Sequence, residues 1–144
     1  MGKIHVVTMP KLNRALDRIT TELARHGLWD EALGDVDVYL AFFDTAYGYQ
    51  AYGEGGEIVI PRFSLPRLRD WWSDEYTSLT DVLRHEYGHA LADTHRGLLR
   101  SSRFVDAFGA PHSSDIEWEY DGEFHVTGYA ATDPSEDFAE TFML

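Results

Sequence analysis

Leu83-Arg84-His85-Glu86-Tyr87-Gly88-His89-Ala90-Leu91-Ala92-Asp93 contains the spacing His-Glu-x-x-His. On a helix, residues four apart point the same way, so His85 and His89 can offer both imidazoles to one metal ion while Glu86 stands beside it. The flanking residues predict that helix: Ser78, with Asp81 three residues on, resembles a capping box that starts a helix running to about Thr94. The chain has no cysteine, so a transition metal bound here must be held by His, Asp or Glu rather than by thiolate.

Upstream of this helix the pattern changes twice. Leu12, Leu16, Ile19 and Leu23 recur at helical spacing between Pro10 and Gly27, with charged residues between them and a glycine at the expected stop. Val36 to Phe42, Tyr47 to Tyr52 and Glu57 to Ile60 are rich in strand formers, and Gly53-Glu54-Gly55-Gly56 predicts a hairpin between the last two. Pro61 and Pro66 then predict the end of the strand and a short helical or irregular stretch through Trp71 and Trp72. Pro61 is tolerated best at a sheet edge, where a peptide can add as a further strand; the alternative places Glu57 to Pro61 in the covered half of the hairpin.

Downstream, residues 96–128 show poor periodicity with scattered Gly, Ser, Pro and His, which predicts a long connection with some local helix. Pro134 at a helix start leads into a final helix, Glu136 to Met143. The whole reads as one domain, residues 1–144, since 144 residues at 44% hydrophobic content suffice for a single core.

Charge excludes one function class. With 25 acidic against 12 basic residues and a net charge of −13, the chain lacks the Lys and Arg that drive phosphate binding, so no nucleic-acid partner is expected. Met1 to Val7 lacks the apolar stretch of a signal peptide and no run approaches a membrane span, so a cytoplasmic location without membrane association is expected.

A catalytic zinc site usually takes three protein ligands. Two downstream residues are candidates for the third. His95 extends the motif to His85-Glu86-x-x-His89-x-x-Ala92-x-x-His95, the metzincin spacing with Ala92 where that class has a glycine; alanine resists the positive φ such a turn often needs. Glu136, on the final helix, can supply a carboxylate if that helix packs against the first.

The segment Tyr129-Ala130-Ala131-Thr132-Asp133-Pro134-Ser135-Glu136-Asp137-Phe138-Ala139-Glu140-Thr141-Phe142, together with the His85 motif, resembles the zinc metallopeptidases related to the catalytic domain of anthrax lethal factor. The resemblance implies a minimal zincin-like α+β fold of gluzincin type, with a small twisted sheet, a metal helix and a glutamate-bearing C-terminal helix. It further implies Zn2+ held by His85, His89 and Glu136, with Glu86 as general base and Tyr129, seven residues before Glu136, as donor to the transition state. The expected reaction is hydrolysis of a peptide or protein substrate. A rival reading from another class is a metal- or peptide-binding module on the same fold without hydrolysis; retention of Glu86 speaks against it, because a purely structural site has no use for a base.

Around these residues, Asp93 is expected to orient an imidazole from one turn past His89, and Glu140 is a candidate for the same task. His112 and His125 fall in the irregular region, with His125 near enough to Tyr129 to line a cleft. Trp71, Trp72 and Tyr76 either wall a substrate pocket or fill the core.

Overall fold

The computed structural model describes residues 7–41, 48–52, 55–61, 78–119, 121–126 and 130–143. Helix α1 (Met9–Arg25) starts at Thr8, whose hydroxyl accepts the Lys11 N–H, with Pro10 in its first turn. It buries Leu12, Ala15, Ile19 and Leu23 along one face and ends at His26, beyond which Gly27 turns the chain at φ +70°. A one-turn helix, α2 (Glu31–Gly34), follows, capped by the Asp30 carboxylate on the Leu33 N–H at 2.9 Å.

The strands β1 (Val36–Ala41), β2 (Gly48–Tyr52) and β3 (Gly55–Pro61) form one sheet in the order β1-β3-β2. The predicted hairpin is present, with β2 antiparallel to β3 from Tyr52 opposite Gly55 to Gly48 opposite Val59. The edge reading of Glu57 to Pro61 is corrected: β1 pairs in parallel along the other side of β3, from Val36 opposite Gly56 to Ala41 opposite Pro61, so β3 is the central strand. Pro61 is accommodated because it is the last residue of the strand, where little of the ladder remains to be interrupted. Ile58 and Ile60 alternate into the core.

Helix α3 (Leu79–Thr94) carries the His-Glu-x-x-His motif, and its predicted cap is present: Ser78 Oγ accepts the Asp81 N–H at 3.1 Å and donates to the Asp81 carboxylate at 2.6 Å. This helix is buried on almost every face, which is why apolar and polar residues do not segregate along it. Helix α1 packs on one side, held by the Arg84 guanidinium, which grips both Glu22 oxygens at 2.9 Å and Asp81 at 2.8 Å. That guanidinium holds the Glu22 carboxyl below the usual carboxylate range.

The predicted connection contains two short helices, α4 (Arg96–Leu99) and α5 (Ser102–Phe108), the latter closed by Gly109 at φ +80°. A 3-10 turn (Ala130–Thr132) then leads into α6 (Pro134–Met143), where Asp133 Oδ1 accepts the Glu136 N–H at 2.9 Å and Pro134 takes the first helical position as expected. Two cores result, one joining α1, α2, β3 and α3, and a smaller one of Ala92, Leu99 and Phe104 with Phe108 and Phe138 against it. Among the described residues no helix is long and apolar enough to cross a membrane. Trp71, Trp72 and Tyr76 lie outside the described residues.

Candidate metal centre

Gly88 decides how closely α6 can approach α3. A Cβ built there would stand 3.1 Å from the Phe142 ring and 3.3 Å from the Ala139 Cα, so the pair of small residues Gly88 and Ala139 sets the helices close together at the crossing. That approach carries the first and second turns of α6 to His85 and His89.

The result is a convergence of donor atoms. His85 Nε2 and His89 Nε2 are 3.1 Å apart, and Glu136 Oε2 stands 3.1 Å from the first and 3.3 Å from the second. Buried Glu136 Oε2 nevertheless has no hydrogen bond of good geometry. Three lone-pair sites facing one another repel unless a proton or a cation lies between them, and leaving a buried carboxylate oxygen unsatisfied is costly. Without a metal, the pull falls on the His85 proton: burial alone would lower this imidazole's pKa, but the Glu136 and Glu140 carboxylates outweigh it and hold it up at about 9. Burial pushes the Glu136 carboxyl up, and the two imidazoles close beside it, His85 and His89, override that and bring it down to about 2. His85, His89 and Glu136 are therefore able to hold a metal ion, with the donor types that a cysteine-free chain must use.

Helix α6 supplies a second carboxylate. Glu140, fully buried, meets His85 Nδ1 at 2.9 Å. A carboxylate can only accept, so in the neutral ring that a metal would require Nδ1 keeps the hydrogen and Nε2 offers its lone pair toward the cluster. Asp93 does not take this part, contrary to expectation: its carboxylate accepts from Tyr49 Oη at 2.8 Å and from Arg96 at 2.7 Å. The reason is position, since one turn past His89 the helix has passed the cluster and faces strand β2.

Glu86 is buried beside the cluster and is held from the sheet: the Tyr49 backbone N–H donates to its Oε2 at 2.6 Å. Burial pushes the Glu86 carboxyl up from its ordinary range, with the two imidazoles and the Tyr49 N–H acting against that. Gly48 makes the approach possible, because its φ of +98° is one L side chains rarely adopt and a Cβ there would meet Glu86 Oε2 at 2.9 Å. Neither Gly48 nor Tyr49 stood out in the sequence; a glycine opening a strand is too common a signal to single out.

The remaining candidates fall elsewhere. The His95 ring bonds Leu91 O and Thr94 Oγ1, and its Nε2 lies 3.3 Å from Asp30, outside the convergence. His125 accepts the Asp121 N–H at 3.3 Å and does not line the cavity beside the cluster. His112 does line it, together with His89 and Glu136; burial lowers its pKa, and His89 adds to that. Tyr129 lies outside the described residues.

No protein-family model, no curated protein and no solved structure matches this chain.

Proposed function

We propose that this chain is a zinc-dependent metallopeptidase of gluzincin type, in which His85, His89 and Glu136 hold the metal and Glu86 is the general base. The observation that carries the reading is the convergence of His85 Nε2, His89 Nε2 and Glu136 Oε2 at 3.1 to 3.3 Å. Three donors about 2.0–2.1 Å from one zinc ion at tetrahedral angles stand about 3.3 Å apart, so these separations support a zinc-sized ion with one position left over. Imidazole with carboxylate and no thiolate suits zinc better than calcium or magnesium, which prefer all-oxygen sites.

Bound zinc would supply Lewis acidity, lowering the pKa of water toward about 7 and polarising the scissile carbonyl. The chain's own residues do the rest. Glu86, fixed by the Tyr49 N–H, takes a proton from the attacking water and returns it to the leaving amine; a carboxyl pushed up by burial is better matched to both transfers than one of ordinary pKa. Glu140 fixes the His85 tautomer. Tyr129 is proposed as donor to the developing oxyanion on the family resemblance alone.

The test is hydrolysis of casein and a mixed peptide library by protein of measured zinc content. Cleavage that stops with a chelator and returns with one equivalent of zinc is expected. Protein that takes up no zinc, or that cuts equally well without it, would sink the reading; zinc uptake with no cleavage of any peptide would leave the rival, a binding module.

A further inference from the structure

Tyr49 meets helix α3 at two places. Its backbone N–H donates to Glu86 Oε2 at 2.6 Å, and its phenol donates to Asp93 Oδ2 at 2.8 Å. Glu86 and Asp93 lie two turns apart, about 10 Å along the axis at 1.5 Å per residue, so one residue of β2 brackets the turns that carry His89. The far contact is itself fixed, because Arg96 takes the other Asp93 oxygen, Oδ1, at 2.7 Å and leaves Oδ2 to the phenol. The sheet makes room at both ends of Tyr49. Gly48 opens the approach to Glu86, and Gly56 on β3 leaves space for the ring: a Cβ there would stand 2.7 Å from Tyr49 Oη and 2.9 Å from Cζ.

We propose that Tyr49 is a positioning residue for the general base: the bond from its phenol to Asp93 holds its N–H where that N–H fixes the Glu86 carboxylate. The inference rests on the peptidase reading of the metal cluster and adds residues that work through Glu86, touching neither metal nor substrate. Among the described residues β2 pairs with β3 alone, and a strand at a sheet edge has ladder bonds on one side only. A single backbone bond to α3 would leave Tyr49 free to swing about Glu86. The second attachment, two turns away, removes that freedom. The stake is large, because a misplacement of about 1 Å at a reacting group can cost on the order of 100-fold in rate.

The first readout needs no substrate. An N–H on the outer side of an edge strand exchanges readily with solvent unless a buried group accepts it, so hydrogen exchange at residue 49, followed by NMR in zinc-loaded and metal-free protein, reports the bond to Glu86. Tyr49→Phe and Asp93→Ala each remove the phenol bond. Both should speed exchange at that amide by about tenfold or more, while the amides of Leu83 and Tyr87, buried in α3, keep their wild-type rates. Asp93→Asn, whose amide oxygen can still accept from the phenol, should recover most of the protection. The second readout is kinetic. Tyr49→Phe should lower kcat by about tenfold to 100-fold with KM and zinc content little changed. In a Glu86→Gln background it should lower the residual rate no further, since a residue that acts through Glu86 has nothing left to place. A phenol that merely supports the fold, or that touches substrate, would still lower the rate there. Exchange at residue 49 that Tyr49→Phe leaves unchanged, a full additional loss in the Glu86→Gln background, or an Asp93→Asn variant as impaired as Asp93→Ala would overturn the assignment. If wild-type protein cuts no peptide while exchange still depends on the phenol and on Asp93, the peptidase reading fails and the two-point hold on Glu86 stands.

Discussion

His85 and His89 sit one turn apart on the same helix and meet unlike surroundings. His85 is 1% exposed and backed by a fully buried carboxylate, Glu140, at 2.9 Å. His89 borders the cavity, and its Nδ1 has no closer partner among the described residues than Ser135 Oγ at 3.5 Å, at the outer limit for a hydrogen bond. The buried flank also holds Glu86, clamped by β2; the open flank holds Arg100 and His112. The centre thus divides into a side preset before any ligand arrives and a side left open to receive one, which is the division of labour an enzyme requires of a rigid scaffold and an accessible pocket.

The strongest way to probe the preset side is Glu86→Gln. The amide occupies the same space but cannot take a proton from water, so hydrolysis should fall by about 100- to 10,000-fold while zinc content is unchanged. Near-normal turnover would exclude Glu86 as the base, and loss of zinc would show that its charge supports the metal instead.

Glu136→Ala should follow, lowering zinc affinity by more than the roughly 100-fold that marks the upper end for groups that only orient ligands. His95→Ala, in parallel, should leave affinity unchanged, because that ring is engaged with Asp30 and the helix end. Competition with a chromophoric chelator measures both. The reverse pattern would place the third ligand at the end of α3 and dissolve the contrast between the two flanks.

Glu140→Gln tests whether the carboxylate behind His85 matters by its charge. The amide oxygen can still accept from Nδ1, but the imidazole loses the negative partner that raises its basicity, so zinc affinity should drop by about tenfold, the lower end of the range for such partners. An unchanged affinity in a variant with wild-type thermal stability would reduce Glu140 to a packing residue.

These contrasts were only partly legible in the sequence. The helix carrying His85 and His89, its Ser78 cap, the hairpin of β2 with β3 and the start of α6 at Pro134 are local features, written in residues at most a few positions apart. The central place of β3 was not, because alternation in one strand does not name its neighbours and the parallel partner β1 is distant in sequence. Which carboxylate backs which imidazole was equally hidden. Asp93 and Glu140 each lie one turn from a proposed ligand, and only the crossing of α3 and α6, set by the Gly88 and Ala139 contact, turns Glu140 toward His85 and leaves Asp93 to Tyr49.

The smallest expected effect belongs to Ser135→Ala, and it is the most direct test of the asymmetry. If the open flank leaves the far side of His89 unconstrained, the Ser135 hydroxyl at 3.5 Å contributes little to the ring's orientation, and water entering from the cavity can replace it. Zinc affinity should then change by less than about twofold, against about tenfold for Glu140→Gln. Helix α6 should be undisturbed, since its start is held by Asp133 on the Glu136 N–H and by Pro134 rather than by the serine. Equal losses at Ser135 and Glu140 would mean that both imidazoles are fixed from behind once metal is bound, that the 3.5 Å contact tightens on loading, and that the two flanks differ in exposure without differing in function.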